Sequence, residues 1–199
     1  EIDSPWAARH INQLGWLHAE LGDWETAYAI DLSGLEPTRA LTGFKEIEIS
    51  TQINLALDCI GLGRLDEALA YIQACEESLG LTEYGVHDWR WRTRLADARA
   101  RLHLSTGQLA EAQQGVEELF QIAGRTRARK YLQRGHMLQA GLYIAGGDAE
   151  KARVELEAAL RLADAMCYPP GRIQARQQLS ALLVQNGDDQ WSEALQREA

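Results

Sequence analysis

A repeat of about forty residues constrains the fold of this chain more than any other feature of its sequence. Its anchors are five glycines, spaced 41, 44, 40 and 40 residues apart, at Gly22, Gly63, Gly107, Gly147 and Gly187. Alanine stands five residues after the first four of them, at Ala27, Ala68, Ala112 and Ala152. A small residue stands seven residues before all five, at Gly15, Ala56, Ala100, Ala140 and Ser180.

These two columns of small residues predict where pairs of helices cross. Two antiparallel helices joined by a tight turn approach closely only where the side chains at the crossing are small. Glycine adopts the left-handed conformation that ends a helix. Segments such as LALDCIGLGRLDEALAYI carry apolar residues at helical spacing on both sides of the glycine. Each period therefore predicts two amphipathic helices joined by a glycine turn.

The repeat divides the chain into five predicted helix pairs. They occupy about 5–42, 45–79, 87–126, 127–166 and 169–198, in one domain over residues 1–199. Ser4-Pro5 and Pro169-Pro170 are typical helix starts, and the longest connector is predicted between Gly80 and Val86. In the fifth pair Ala194 stands two places late, so we expect a truncated or capping second helix there.

The columns resemble the tetratricopeptide repeat, whose signature is W-x2-L-G-x2-Y, followed by A-x3-F and then P. The matching positions are Ile11, Leu14, Gly15, His18 and Ala27 in the first repeat, and Ala140, Tyr143, Ala152, Leu156 and Ala159 in the fourth. The resemblance implies an all-α fold, a right-handed α-solenoid of about five antiparallel helix pairs. HEAT-like packing is the alternative, but the small column and its partner alanine favour the tetratricopeptide repeat.

The phrase LGWLHAELGDWETA is similar to the repeat arrays of large bacterial signalling ATPases, including MalT-type regulators and cyclase-linked ATPases. This resemblance implies the sensor or scaffold portion of a cytoplasmic regulator. The chain does not begin with methionine, so we expect a piece of a longer protein. The resemblance also leaves open an alternative, the small-molecule (inducer) sensing domain of a MalT-type regulator.

Composition narrows the partners and the compartment. The chain has 29 acidic and 20 basic side chains and a net charge of −9, which argues against general binding to nucleic acids or to anionic membranes. No apolar run approaches the roughly 20 residues that cross a bilayer. Cys59, Cys75 and Cys167 lack metal-ligand spacing, which favours buried thiols in a reducing compartment. The predicted location is the cytoplasm.

Motifs for catalysis are missing from the sequence. It contains no GxxxxGK[ST], GxGxxG, HExxH or GxSxG pattern, and its five histidines are dispersed. Most acidic residues fall on presumed outer helix faces, where solvated charge explains them. We therefore predict a protein that is not an enzyme and that has no metal or cofactor.

Arginines are concentrated in the middle of this acidic chain. Residues 90–134 carry a net charge of +6, whereas the remainder carries −15. Two interpretations remain open at this point. The arginines can attract an anionic partner through their bidentate guanidinium groups, or they can neutralise acidic neighbours on adjacent helices.

The tetratricopeptide resemblance also implies which residues line a concave groove, because first helices build that face. Carried over by position, the groove residues are Asn12, Trp16, Ile53, Asn54, Leu57, Arg94, Asp97, Arg101, Arg134 and Met137. Aromatic and apolar side chains that lead into arginines suit an extended protein or peptide segment with an acidic portion. The Lys and Asn pattern of a carboxylate clamp is incomplete here. A homo-oligomer is a further expectation, and exposed end helices of a truncated solenoid can also pair artificially.

Overall fold

A computed structural model of the chain describes residues 4–40, 44–81 and 87–185. Within these ranges the chain forms nine α helices and no strand. The helices are α1 Pro5–Glu20, α2 Trp24–Ala40, α3 Lys45–Gly61, α4 Leu65–Leu81, α5 Asp88–Ser105, α6 Leu109–Thr126, α7 Arg129–Ala145, α8 Ala149–Ala165 and α9 Pro169–Gln185. The all-α repeat fold is therefore confirmed. Most of the predicted connector and the second helix of the fifth pair, with Gly187, lie outside the described residues.

The helix boundaries follow the signals in the sequence. The Ser4 hydroxyl accepts a hydrogen bond from the Trp6 amide over 3.3 Å, and Pro5 is the first residue of α1. The four described turn glycines have φ angles of 80°, 73°, 75° and 76°, all left-handed. A side chain at that angle costs free energy, so glycine is the residue that ends these helices with least strain. The glycine turns are confirmed.

Both columns of small residues are buried at the helix crossings. Ala27, Ala68, Ala112 and Ala152 expose no surface. The members of the second column, Gly15, Ala56, Ala100, Ala140 and Ser180, are buried as well. This confirms that the two columns mark close helix packing.

The helices group into two compact units, each described by itself. Unit 1 is Glu1–Thr106 and contains α1 to α5. Within unit 1 the first helices form a layer, because α3 contacts both α1 and α5. The second helix α2 packs on α1 and α3, and α4 packs on α3 and α5. Its core contains Ile49, Ile53, Ile72, Leu79, Leu95 and Leu102.

Unit 2 is Gly107–Ala199 and contains α6 to α9. Helix α7 packs between α6 and α8, and α8 packs on α9. Its core contains Met137, Leu156, Leu179 and Leu182. The single domain over residues 1–199 and the right-handed sense of the solenoid remain predictions. None of the described helices is long and apolar enough to cross a membrane.

Candidate functional site

One asparagine side chain connects the three first helices of unit 1. The Asn54 amide nitrogen on α3 donates to the Asn12 carbonyl oxygen on α1 over 2.9 Å and to Asp31 Oδ1 on α2 over 3.1 Å. The Asn54 oxygen accepts a hydrogen bond from Arg94 Nη2 on α5. Together with Asp58 on α3, these residues form what we call the buried polar cluster: Asn12, Asp31, Asn54, Asp58 and Arg94.

The two aspartates of this cluster form a buried acid pair. Asp31 and Asp58 each expose 0% of their surface. Among the described residues, no amide, hydroxyl or cationic group donates to Asp31 Oδ2 or to either oxygen of Asp58. Asp58 stands one helical turn after Asn54 on α3, and Asn54 holds Asp31, so the two carboxyl groups are neighbours within the cluster. A hydrogen bond between two carboxyl groups requires that one of them carry a proton.

Burial is also the main influence on the acidity of this pair. Desolvation raises the pKa of Asp31 to about 7, although the Asn54 hydrogen bond and the Arg94 charge lower it. Desolvation and the charge of Asp31 raise the pKa of Asp58 to about 8, against the opposing effect of Arg94. Both carboxyl groups therefore hold protons more tightly than an exposed aspartate does, Asp31 because it is buried and Asp58 because it is buried beside a like charge.

The acid pair was missed in the sequence, although the repeat contains a signal for it. Position 58 falls in a column with Leu17, Leu102, Leu142 and Leu182 at the spacing of the turn glycines. Position 31 falls in a column with Ile72, Val116 and Leu156. Both aspartates therefore stand where the other repeats have aliphatic residues. Those aliphatic residues are buried, with the exception of Leu17. A polar residue in an apolar column of a repeat indicates a special local role.

The predicted groove residues of unit 1 have different environments. Asn12 and Leu57 are partly buried, and Trp16 exposes 37% of its surface. Asp97 is buried and accepts a hydrogen bond from Arg101 over 2.9 Å. Ile53 is completely buried in the core of unit 1, and Asn54 exposes only 2% of its surface, so the side chains of both lie beneath the surface; the groove itself stays a prediction.

Two predicted groove residues lie in unit 2. The Arg134 guanidinium lies over the Tyr131 ring, 5.5 Å from the ring centroid. Met137 exposes only 8% of its surface and belongs to the core of unit 2. Its side chain packs between helices and offers little surface to a ligand.

Within unit 1, the arginines of the central cluster have two kinds of partner. Arg92 pairs with Asp88, Arg99 with Glu76 over 3.2 Å, and Arg101 with Asp97. These three arginines neutralise acidic neighbours. Arg94 differs from them because its hydrogen bond goes to the neutral side chain of Asn54, and it reaches the acid pair only through its electric field.

Two of the three cysteines follow the expectation of buried thiols. Cys59 and Cys75 are buried, and desolvation raises the pKa of each to about 12. Cys167 is exposed, so the expectation does not hold there. Across 4–40, 44–81 and 87–185, no three His, Cys, Asp or Glu side chains come together as metal ligands.

Comparison with known proteins identifies the repeat. Residues 49–72 match the family model of the tetratricopeptide repeat. They cover most of α3, the Gly63 turn and the first part of α4. The chain carries a tetratricopeptide repeat. Tetratricopeptide repeats generally mediate contacts between proteins, and scaffolds built from them are generally not enzymes.

Solved structures show the same fold over nearly the whole chain. BtubC (BKLC) from P. vanneervenii superposes with a TM-score of 0.63 at 18% identity, over 96% of this chain and 79% of that chain. Two structures of kinesin light chain-like, nearly identical TPR-like repeats from Podosopora anserina give TM-scores of 0.57 and 0.58 at 20% identity. They cover 96% and 98% of this chain, and 91% and 94% of theirs. No curated protein matches the sequence.

Proposed function

We propose that this tetratricopeptide protein is a non-enzymatic binding module. It holds a protein or peptide segment with an acidic portion against the first helices of unit 1. The accessible surface of α1, α3 and α5 around Asn12, Trp16, Leu57 and Arg94 is called the first-helix face below. The observation that carries the proposal is the different environment of Arg94, which bonds to neutral Asn54, whereas Arg92, Arg99 and Arg101 are held in ion pairs.

Arg94 has the geometry and chemistry that an acidic ligand needs. Its side chain is partly exposed, and its hydrogen bond to Asn54 fixes the position of the guanidinium. A guanidinium has five N–H groups in a fork that matches a carboxylate, and the bond to Asn54 uses one of them. The exposed part of Trp16 on α1 adds apolar surface to the same face. Aromatic residues and arginine are enriched where binding free energy concentrates.

The wider role belongs to the same proposal. A binding module of this kind suits a sensor or scaffold in a bacterial signalling or transcription-regulatory protein of the cytoplasm. A partner that binds one conformation of the regulator better than another shifts the regulator toward that conformation.

Fluorescence anisotropy of a labelled peptide tests the proposal. The probe has a leucine tract followed by a glutamate tract, and a matched peptide has glutamine in place of every glutamate. We expect the full chain to bind the glutamate peptide more tightly and to lose affinity as salt is added. Arg94→Gln should weaken binding about ten-fold or more, because it removes a charge-assisted hydrogen bond.

Arg92→Gln is the matched control, since it removes the same charge from α5 at a residue paired with Asp88. The control should bind as the wild-type chain does. Equal losses from both variants would show that overall charge, rather than the first-helix face, governs binding. If neither peptide binds and a small metabolite raises the melting temperature, the result would contradict peptide binding and support small-molecule sensing.

A further inference from the structure

We propose that the acid pair Asp31–Asp58 is a proton switch that controls how far Arg94 is available on the first-helix face. With one shared proton the pair leaves Arg94 at the surface, and without it the pair draws Arg94 inward. This inference rests on the proposed function, because it names the regulation of the same face.

The protonated state gives the two carboxyl groups a hydrogen bond to each other. One carboxyl group donates its proton to the other, and Asp31 Oδ1 accepts from Asn54 over 3.1 Å. The pair then carries one negative charge, which the positive charge of Arg94 balances. Arg94 is held by the neutral oxygen of Asn54 and keeps its remaining N–H groups for a ligand.

Loss of the shared proton to solvent leaves two carboxylates in contact. Their total charge becomes −2 in a site where both Asp58 oxygens and Asp31 Oδ2 have no other donor among the described groups. Unpaired buried charge is costly, so the pair attracts the nearest cation. Movement of the Arg94 guanidinium from Asn54 toward the carboxylates satisfies them and removes that guanidinium from an acidic ligand.

Among the described groups of unit 1, Arg94 on α5 is the cation whose charge lowers the pKa of both aspartates. Two thiols also lie near the cluster. The charge of Asp58 raises the pKa of Cys59 on α3, and the charge of Arg94 lowers the pKa of Cys75 on α4. Both thiols stay neutral because their pKa values are raised to about 12. Helix α1 faces the cluster with Gly15 and Asn12, which do not titrate.

Conventional packing of the repeat does not require the pair. The other repeats hold leucine at the Asp58 position and an aliphatic residue at the Asp31 position. A leucine at position 58 is therefore compatible with the repeat and leaves Asp31 as a single carboxylate opposite Arg94. Burial still raises the pKa of that carboxylate, so the variant with no titrating group at this site is Asp31→Val with Asp58→Leu, which restores both apolar columns.

The affinity for the glutamate-tract peptide at about pH 6 and about pH 9 tests this switch, because the glutamates of the probe stay ionised throughout. The wild-type chain should bind about ten-fold more weakly at the higher pH. Such a change corresponds to a shift of about one unit in the pKa of the pair when the peptide binds. Asp31→Val with Asp58→Leu should bind with little dependence on pH. If this double variant does not fold, Asp31→Asn with Asp58→Asn removes the same two titrating groups.

Asp66→Asn is the control, because it removes an exposed acidic charge from α4 in the same unit. It should keep the pH dependence of the wild-type chain. Binding without pH dependence in the wild-type chain would overturn the switch and leave the proposed function standing. Equal pH dependence in the wild-type chain and in Asp31→Val with Asp58→Leu would also overturn the switch and leave the proposed function standing. If the peptide binds no variant at any pH, the proposed function fails and the switch fails with it.

Discussion

The Asp31 carboxylate fills the space that a side chain at Gly15 would need. A β-carbon added at Gly15 would lie 2.2 Å from Asp31 Oδ2 and 2.4 Å from its carboxyl carbon. The same column holds alanine in the next three repeats, where the facing column is aliphatic. Gly15 and Asp31 are therefore matched to each other, and the glycine leaves room for the acid pair.

We expect Gly15→Ala to destabilise the chain by about 1–3 kcal/mol, because the added methyl group overpacks the crossing of α1 and α2. Urea denaturation of the full chain measures this change. Gly80→Ala is the control, since a β-carbon there meets nothing within 4 Å and Gly80 is exposed near the end of α4. The control should be neutral or slightly stabilising, because alanine favours helix over glycine.

A double-mutant cycle shows whether the cost of Gly15→Ala arises at the carboxylate. In an Asp31→Ala background the methyl group at position 15 has room, so the penalty should fall by more than about 0.5 kcal/mol. An unchanged penalty would mean that Asp31 is not what excludes a side chain at Gly15.

Restoration of the apolar columns should stabilise the protein. We expect Asp31→Val with Asp58→Leu to raise the free energy of unfolding by about 1–4 kcal/mol near neutral pH, since apolar residues often replace buried charged groups with a gain. Chemical denaturation of the double variant measures the gain. A double variant that is less stable than the wild-type chain would show that the polar cluster supports the fold.

Stability should depend on pH through the acid pair. Burial raises the pKa of both carboxyl groups above 3.8, so the folded chain binds protons more tightly than the unfolded chain does. The contribution of the pair is therefore greatest at low pH and is lost as pH rises from about 4 to about 8. Urea midpoints across this range should fall in the wild-type chain relative to Asp31→Val with Asp58→Leu. Parallel curves for the two proteins would contradict the prediction.

The column of small residues should exclude large side chains in unit 2 as well. Ala112 on α6 is completely buried, and we expect Ala112→Leu to destabilise the chain by about 1–3 kcal/mol through overpacking. Ala110→Leu places the same side chain at an exposed position of the same helix and should change stability little. Thermal denaturation of both variants makes the comparison, and equal melting temperatures would show that the column is misplaced at this repeat.

Local rules explain which parts of the fold were predictable. Turn glycines such as Gly63 and crossing alanines such as Ala68 act within one hairpin, so their spacing alone indicates the helix pairs. The groove residues depend on how each helix is rotated. Successive side chains on a helix point about 100° apart. For this reason Ile53 points into the apolar core, whereas the next residue, Asn54, points into the polar cluster.

The acid pair depends on an arrangement that no single hairpin contains. Asp31 belongs to the first hairpin and Asp58 to the second, and they meet because α2 packs on α3. Acidic residues on amphipathic helices are usually solvated, so neither aspartate stands out alone. Comparison of columns between repeats reveals both, because the other repeats hold aliphatic residues there.

Titration of the aspartate carboxyl carbons by NMR tests the central claim most directly, namely that Asp31 and Asp58 form a buried pair that shares a proton. Asp58→Asn and Asp31→Asn spectra assign the two signals. Both carboxyl groups should titrate far above the ordinary aspartate range, and loss of Asp31 should lower the pKa of Asp58 by removing a like charge. Two carboxyl groups that titrate independently near the ordinary value would contradict it.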